Sequence, residues 1–168
     1  MTVTCNGVQT TLQDLWVGEV LLCSGQSNMG FRMDESKDYP ELSEPCHALR
    51  IFHAERVDQN GRFRPMHGWK HCDTDEVIKN STAVGYETGL LLAKKLGCAI
   101  GLLSAAQGAS VIQSWMPEGT MDRLGLHFTK EELSHSHFTY PIWNPPGMLY
   151  NTMLKPWMPY SVSRVLWC

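Results

Sequence analysis

Apolar and polar positions along this chain alternate between two kinds of period. Residues 15–23, 49–57, 99–105 and 162–167 read as strands, and the first, third and fourth are nearly continuous apolar runs. Unbroken runs of that kind belong to parallel strands covered on both faces. The clearest helix is expected over 82–96, where Ala83, Tyr86, Leu90 and Ala93 share one face, widened by Leu91 and Leu96. Ser81 or Thr82 can cap it, Lys94 and Lys95 suit its last turn, and Gly97 can take the left-handed position just past its end. A second helix is expected from Pro146 or Gly147, carrying Met148, Leu149, Met153 and Leu154 and stopped by Pro156, with a weaker helical stretch over 129–135. Strands and helices in this order predict an α/β fold, a mainly parallel sheet flanked by helices, with the second strand free to sit at an edge.

Two connections, 30–48 and 58–81, are long, polar and aperiodic, and such segments in compact domains usually serve a function. In a parallel sheet, ligands gather at the C-terminal ends of the strands. Two short polar turns, 25–29 and 105–110, fall at such ends.

Composition narrows the classes. With 168 residues, 43% hydrophobic and 10% aromatic, the chain suits one domain with a substantial core. A net charge of −3 with scattered Lys and Arg argues against a nucleic-acid surface. No apolar run is long enough to span a bilayer. No basic stretch followed by an apolar core opens the chain, so no signal peptide is visible; the compartment is left open, leaning to the cytoplasm. The six cysteines (5, 23, 46, 72, 98 and 168) form no Cys-x-x-Cys pair, which disfavours structural zinc. Cys23 and Cys98 are expected as buried thiols in adjacent strands.

The chemistry-bearing element is Gly25-Gln26-Ser27-Asn28-Met29, entered straight from the first strand. Gly25 allows backbone angles that a Cβ blocks and lets another group approach closely. Ser27 then falls at a helix N-terminus, where its own N–H can help hold an oxyanion. Ser and Asn are also common capping residues, so the pentapeptide alone leaves both readings open. The Gly-x-Ser-x-Gly elbow fails at Met29, which disfavours a lipase-like α/β-hydrolase.

Three further segments agree with the first in order and spacing. Gly18 through Met29 resembles the nucleophile block of the sialate O-acetylesterase branch of the SGNH hydrolases. Residues 100–117, through Gly108 to Ser114-Trp115-Met116-Pro117, are similar to its second block. Residues 146–156 resemble its Leu-Tyr-Asn-Ala-Met helix followed by Pro, and residues 81–86 fit the helix start between the first two blocks. The resemblance covers about residues 15–168. It implies a flavodoxin-like three-layer sandwich, with residues 1–14 as the remnant of a preceding strand or linker and 15–168 as a partial esterase domain truncated at the C-terminus. The family continues into an oxyanion-hole segment and later an Asp-x-x-His block holding the general base, both lying past Cys168.

The implied reaction is hydrolysis of an acetyl ester on a sugar hydroxyl, typically on sialic acid, with an acetylated sugar as the small-molecule substrate. Neither nucleic acid, membrane, metal nor other cofactor is expected. Ser27 is the implied nucleophile, and the Gly108 N–H is the implied oxyanion donor beside that of Ser27. Gln26, Asn28 and Ser110 are the remaining candidate pocket residues; Gln26 is read as bracing the turn and Asn28 is left between bracing and lining. Two departures stand out: Gln107-Gly108-Ala109-Ser110 has one glycine where the family has two, and Gln113 replaces Glu. Ala109 is tolerable there only with ordinary backbone angles. The histidines (47, 53, 67, 71, 127, 135 and 137) are read as neither base nor metal ligands. Trp115 and Trp69 are read as packing residues, Trp69 over the sheet edge, and Asp73-Thr74-Asp75-Glu76 as a solvated acidic stretch. Asn80-Ser81-Thr82 is read as a helix cap. Without the histidine block the alternative is a catalytically incomplete chain that binds a glycan or partner, and an open sheet edge is expected to drive self-association.

Overall fold

The structure, a computed structural model, describes residues 1–54, 56–57, 63–64, 68–127, 129, 142–158 and 160–168. Nine strands appear among them: β1 (Thr2–Cys5), β2 (Val8–Thr11), β3 (Gly18–Gly25), β4 (Cys46–His53), β5 (Arg56–Val57), β6 (Phe63–Arg64), β7 (Lys70–Cys72), β8 (Ala99–Ala106) and β9 (Arg164–Trp167). Helices α1 (Ser27–Gly30), α2 (Asp75–Lys79), α3 (Ala83–Leu96) and α4 (Thr120–Arg123) lie between them. The main sheet has five strands in the order β7-β4-β8-β3-β9. β3 runs parallel to both β8 and β9, β4 runs parallel to β8, and only β7 is antiparallel. The expected α/β fold with a mainly parallel sheet is therefore present.

The sheet is covered on both faces, which explains the continuous apolar runs. Leu21, Cys23, Leu49, Ile51, Ile100 and Leu102 pack on one face with Tyr86, Leu90 and Ala93 of α3. Ala105, Trp115, Trp143, Leu149 and Met153 form the second core on the other. Helix α3 comes very close to the sheet because Gly89 faces it: a Cβ there would lie 2.6 Å from Leu49 Cδ1. Its cap is Thr82, which accepts from the Gly85 N–H, and Gly97 ends it at φ 65°.

Several expectations need correction. Leu91 and Leu96 do not widen the buried face of α3; both are exposed. The second strand runs Cys46–His53 and sits inside the sheet, because β7 takes the edge. Residues 58–81, read as loop, hold β7 and α2. The helix expected from 146 is an irregular run: a wide turn over Tyr150–Leu154 tightens into a 3₁₀ turn at Lys155–Trp157. Cys98 precedes β8 and is half-buried, whereas Cys23 is fully buried and burial pushes its thiol up to about 12. Trp69 lies over mid-strand Gly101 rather than the sheet edge, its ring 3.1 Å from where a Cβ would be. The helical stretch expected over 129–135 lies outside the described residues apart from Thr129, which is not helical. Among the described residues no helix is long and apolar enough to cross a membrane.

Residues 1–14 hold a hairpin, β1–β2, paired from Thr2↔Thr11 to Cys5↔Val8. The chain then returns to the sheet through Asp14, whose carboxylate accepts from Trp16 Nε1 (2.7 Å), Arg50 (2.5 Å) and His71 Nε2 (3.0 Å). The Trp16 and His71 hydrogen bonds, with Arg50, hold the Asp14 carboxyl at about 2. A carboxyl held below its ordinary 3.8 contributes stability above that value, and the contribution fades as pH falls toward 2. The Trp16 indole N–H signal in NMR should therefore shift toward a solvated position as pH falls through about 2, with half the change reached there. In Asp14→Asn the pH dependence should be lost; an unchanged titration in that variant would refute the clasp.

Candidate active site

Parallel register decides what meets at the C-terminal end of the sheet. Gly25 of β3 lies opposite Ala106 of β8, and Ser24 lies opposite Trp167 of β9. Backbone bonds continue past the strands: the Gln107 N–H donates to Gly25 O (3.0 Å) and the Gln26 N–H to Cys168 O (2.7 Å). Gly25 has φ 135°, and a Cβ on it would lie 2.0 Å from Cys168 O. Glycine is thus required twice over, by conformation and by contact.

Ser27 opens α1 and is solvent-exposed at this end. The helix is only four residues long, so it adds little dipole to the N–H groups there. Gly108 stands beside the serine: a Cβ on Gly108 would fall 3.7 Å from Ser27 Cβ. Neither the Ser27 nor the Gly108 N–H donates a hydrogen bond among the described residues, and the Ser27 hydroxyl has no partner there either. Ser27 and Gly108 therefore lie side by side, each with an N–H unpaired among the described residues.

The 107–111 turn is fixed from several sides. Gln26 Nε2 donates to Ser110 O. The Ser110 side chain is buried, and its hydroxyl accepts from Trp115 Nε1 at 2.9 Å. Asn144, also buried, accepts from the Val111 N–H (3.0 Å) and donates to Ala109 O (3.1 Å). Asn28 is exposed next to Ser27. Ala109 does not have ordinary angles: its φ is 54°, the left-handed region that favours glycine. Surrounding hydrogen bonds over-determine the turn and hold it there. Asn144 escaped sequence reasoning, and the one available signal was an Asn-Pro-Pro run following Trp143.

On the far side of α1 lies a cavity of about 360 Å³, lined by Gly30, Arg32, His53, Arg56, Lys70 and Glu76 among others. Arg32 is tied to Asp34 (3.1 Å) and to Asn80 Oδ1 (3.3 Å). Arg32 also faces Glu35 at 4.0 Å, so its charge is already balanced by neighbouring carboxylates. A larger hollow of about 790 Å³, lined by Trp16, Trp69 and Tyr160, opens toward the start of β3, away from Ser27.

Of the histidines, 67, 135 and 137 lie outside the described residues, and His127 is exposed. His47 and His71, dismissed as ligands on spacing, come together with Asp73, one donor atom of each within 4.8 Å. Their rings stack in parallel at 3.8 Å, which sets the in-plane lone pairs side by side instead of converging. His47 Nδ1 bonds Asp73 Oδ2 at 2.8 Å and lowers that carboxyl's pKa.

No protein-family model and no curated protein matches the chain. Among solved structures, a carbohydrate acetylesterase from Xanthomonas citri superposes with a TM-score of 0.74 at 28% identity, over 99% of this chain and 36% of that one. The fold is similar to that of a carbohydrate esterase. This chain spans about a third of that neighbour's length (36%). An Arabidopsis thaliana protein aligns over 89% of this chain and 56% of its own at 16% identity and a TM-score of 0.42.

Strain at Ala109 has a measurable consequence. A left-handed alanine costs about 1–2 kcal/mol, and glycine's extra chain entropy returns about 0.5–1. Ala109→Gly should therefore raise stability by about 0.5–1 kcal/mol in urea denaturation. A destabilised variant would mean that the turn is not strained.

Proposed function

We propose that this chain performs serine-nucleophile hydrolysis of acetyl esters on sugars, in the manner of the sialate O-acetylesterase branch of the SGNH hydrolases. The observation that carries the reading is the exposed Ser27 packed beside Gly108, both with N–H groups that have no partner among the described residues. In this reading Ser27 Oγ attacks the acetyl carbonyl, its proton passes to a general base, and the two N–H groups receive the oxyanion. The acetyl group is carried on the serine until water releases acetate. Each donor at such an oxyanion is worth about 3–4 kcal/mol. The cavity beside α1, with Arg56 and Lys70, supports an acidic sugar such as a sialic acid, its carboxylate directed there.

One observation favours a second reading, a module that binds an acetylated glycan without turnover: among the described residues no histidine is bonded to Ser27. A single comparison separates the two. Acetate release from O-acetylated sialic acid and from p-nitrophenyl acetate is measured for the chain and for Ser27→Ala. The esterase reading expects the variant to lose about 10³-fold or more. Equal rates would remove Ser27 as nucleophile, and saturable sugar binding without turnover in either protein would establish the binding module.

A further inference from the structure

We propose that Cys46 and Cys72 are a redox-responsive pair that closes into a cross-strand disulfide and pins the wall of the cavity beside α1. The two residues are direct partners in the antiparallel pairing of β4 with β7. Directly opposite residues in such a pair project to the same face with Cβ atoms about 4.5–5.5 Å apart. A disulfide needs about 3.5–4.5 Å, so closure requires a shift on the order of 1 Å. Both thiols point into the same core: Cys72 is fully buried in the cluster under α3, and half-buried Cys46 packs against it. The register shift between Cys46 and Arg50 leaves this pairing separated from the rest of the ladder, where the backbone has room to adjust.

The two thiols differ in a way that orders the reaction. Cys46 is the accessible one and meets the oxidant first. With a small disulfide such as oxidised glutathione, the Cys46 thiolate attacks one sulfur and expels one glutathione thiolate, giving a mixed disulfide. Cys72 then loses its proton and attacks the Cys46 sulfur, releasing the second glutathione. Two protein thiols are oxidised and one glutathione disulfide is reduced to two thiols. Burial pushes the Cys72 thiol up to about 12, so the second step is limited by the small thiolate fraction.

The consequence reaches the candidate site through the chain. Cys72 ends β7, two residues after Lys70 and three before α2, and Lys70, Glu76, Val77 and Asn80 all line the cavity. Cys72 Sγ also lies 3.9 Å from Ser81 Oγ, at the approach to α3. A covalent tie from β4 to this edge strand would hold that wall in place, where hydrogen bonds and core packing hold it in the reduced form.

The test treats the folded chain with oxidised glutathione, blocks remaining thiols, and maps unreduced peptides by mass spectrometry. The expected product links Cys46 to Cys72 and is two hydrogens lighter than the reduced pair. Conversion of the Cys46 mixed disulfide should accelerate about tenfold per pH unit between pH 7 and 9. The oxidised chain should melt higher than the reduced one, and Cys46→Ala should abolish the difference. Recovery of both Cys46 and Cys72 as blocked thiols, or a Cys46 link to Cys5 or Cys168 instead, would overturn the proposal. Mapping the unmutated chain decides the matter even where a variant folds poorly.

Discussion

Three parallel strands that end at one level form the constraint on which the rest depends. Gly25 lies beside Ala106 and Ser24 beside Trp167, and backbone bonds from Gln107 to Gly25 and from Gln26 to Cys168 carry the ladder past the sheet. Register in a sheet is all or nothing, since a slip of one residue turns every side chain to the opposite face. Such a slip between β3 and β8 would take Leu21 and Cys23 out of their packing under α3, and it would part Ser27 from Gly108. The packing of α3 through Gly89 therefore fixes the site as firmly as any residue within it, although Gly89 lies well inside the core.

Much of this frame is legible along the chain because its causes are local. Continuous apolar runs mark β3, β8 and the segment around β9, and cap chemistry at Thr82 and Gly97 marks α3 within a residue at each end. The strand-to-turn step at Gly25 is legible too, because a glycine there answers a steric demand of the turn itself. What stays hidden depends on partners distant in sequence. β7 carries too short a pattern to register, and only its pairing with β4 makes it a strand. Leu91 looks like a core residue by spacing, yet α3 presents a narrower face because glycines bring it close to the sheet.

The same distinction explains the candidate site. Ser27 and Gly108 are visible from motif and spacing, while the residues that hold the second turn are not. Asn144 secures it at both ends from a position remote in the chain, and Trp115 turns out to anchor Ser110 instead of merely filling space. The Ser110 hydroxyl and the Gln26 amide consequently bond within the scaffold, whereas Asn28 is exposed beside Ser27. Ala109 shows the cost of that arrangement. A turn held by this many hydrogen bonds can keep an alanine at a positive φ that glycine would adopt freely.

Strain at this position is informative about where preorganisation lies. An oxyanion is stabilised best by donors already in place, since reorienting a dipole during the reaction consumes the energy it would supply. With α1 only one turn long, the field of a long helix is not available to Ser27. In the proposed reading the donors are fixed instead by the two turns, which Gln26, Trp115 and Asn144 hold through hydrogen bonds. In the esterase reading proposed above, the Ser27 hydroxyl attacks a carbonyl and its proton needs a base. Under that proposal the step from a binding surface to a catalyst rests on a proton acceptor reaching Ser27.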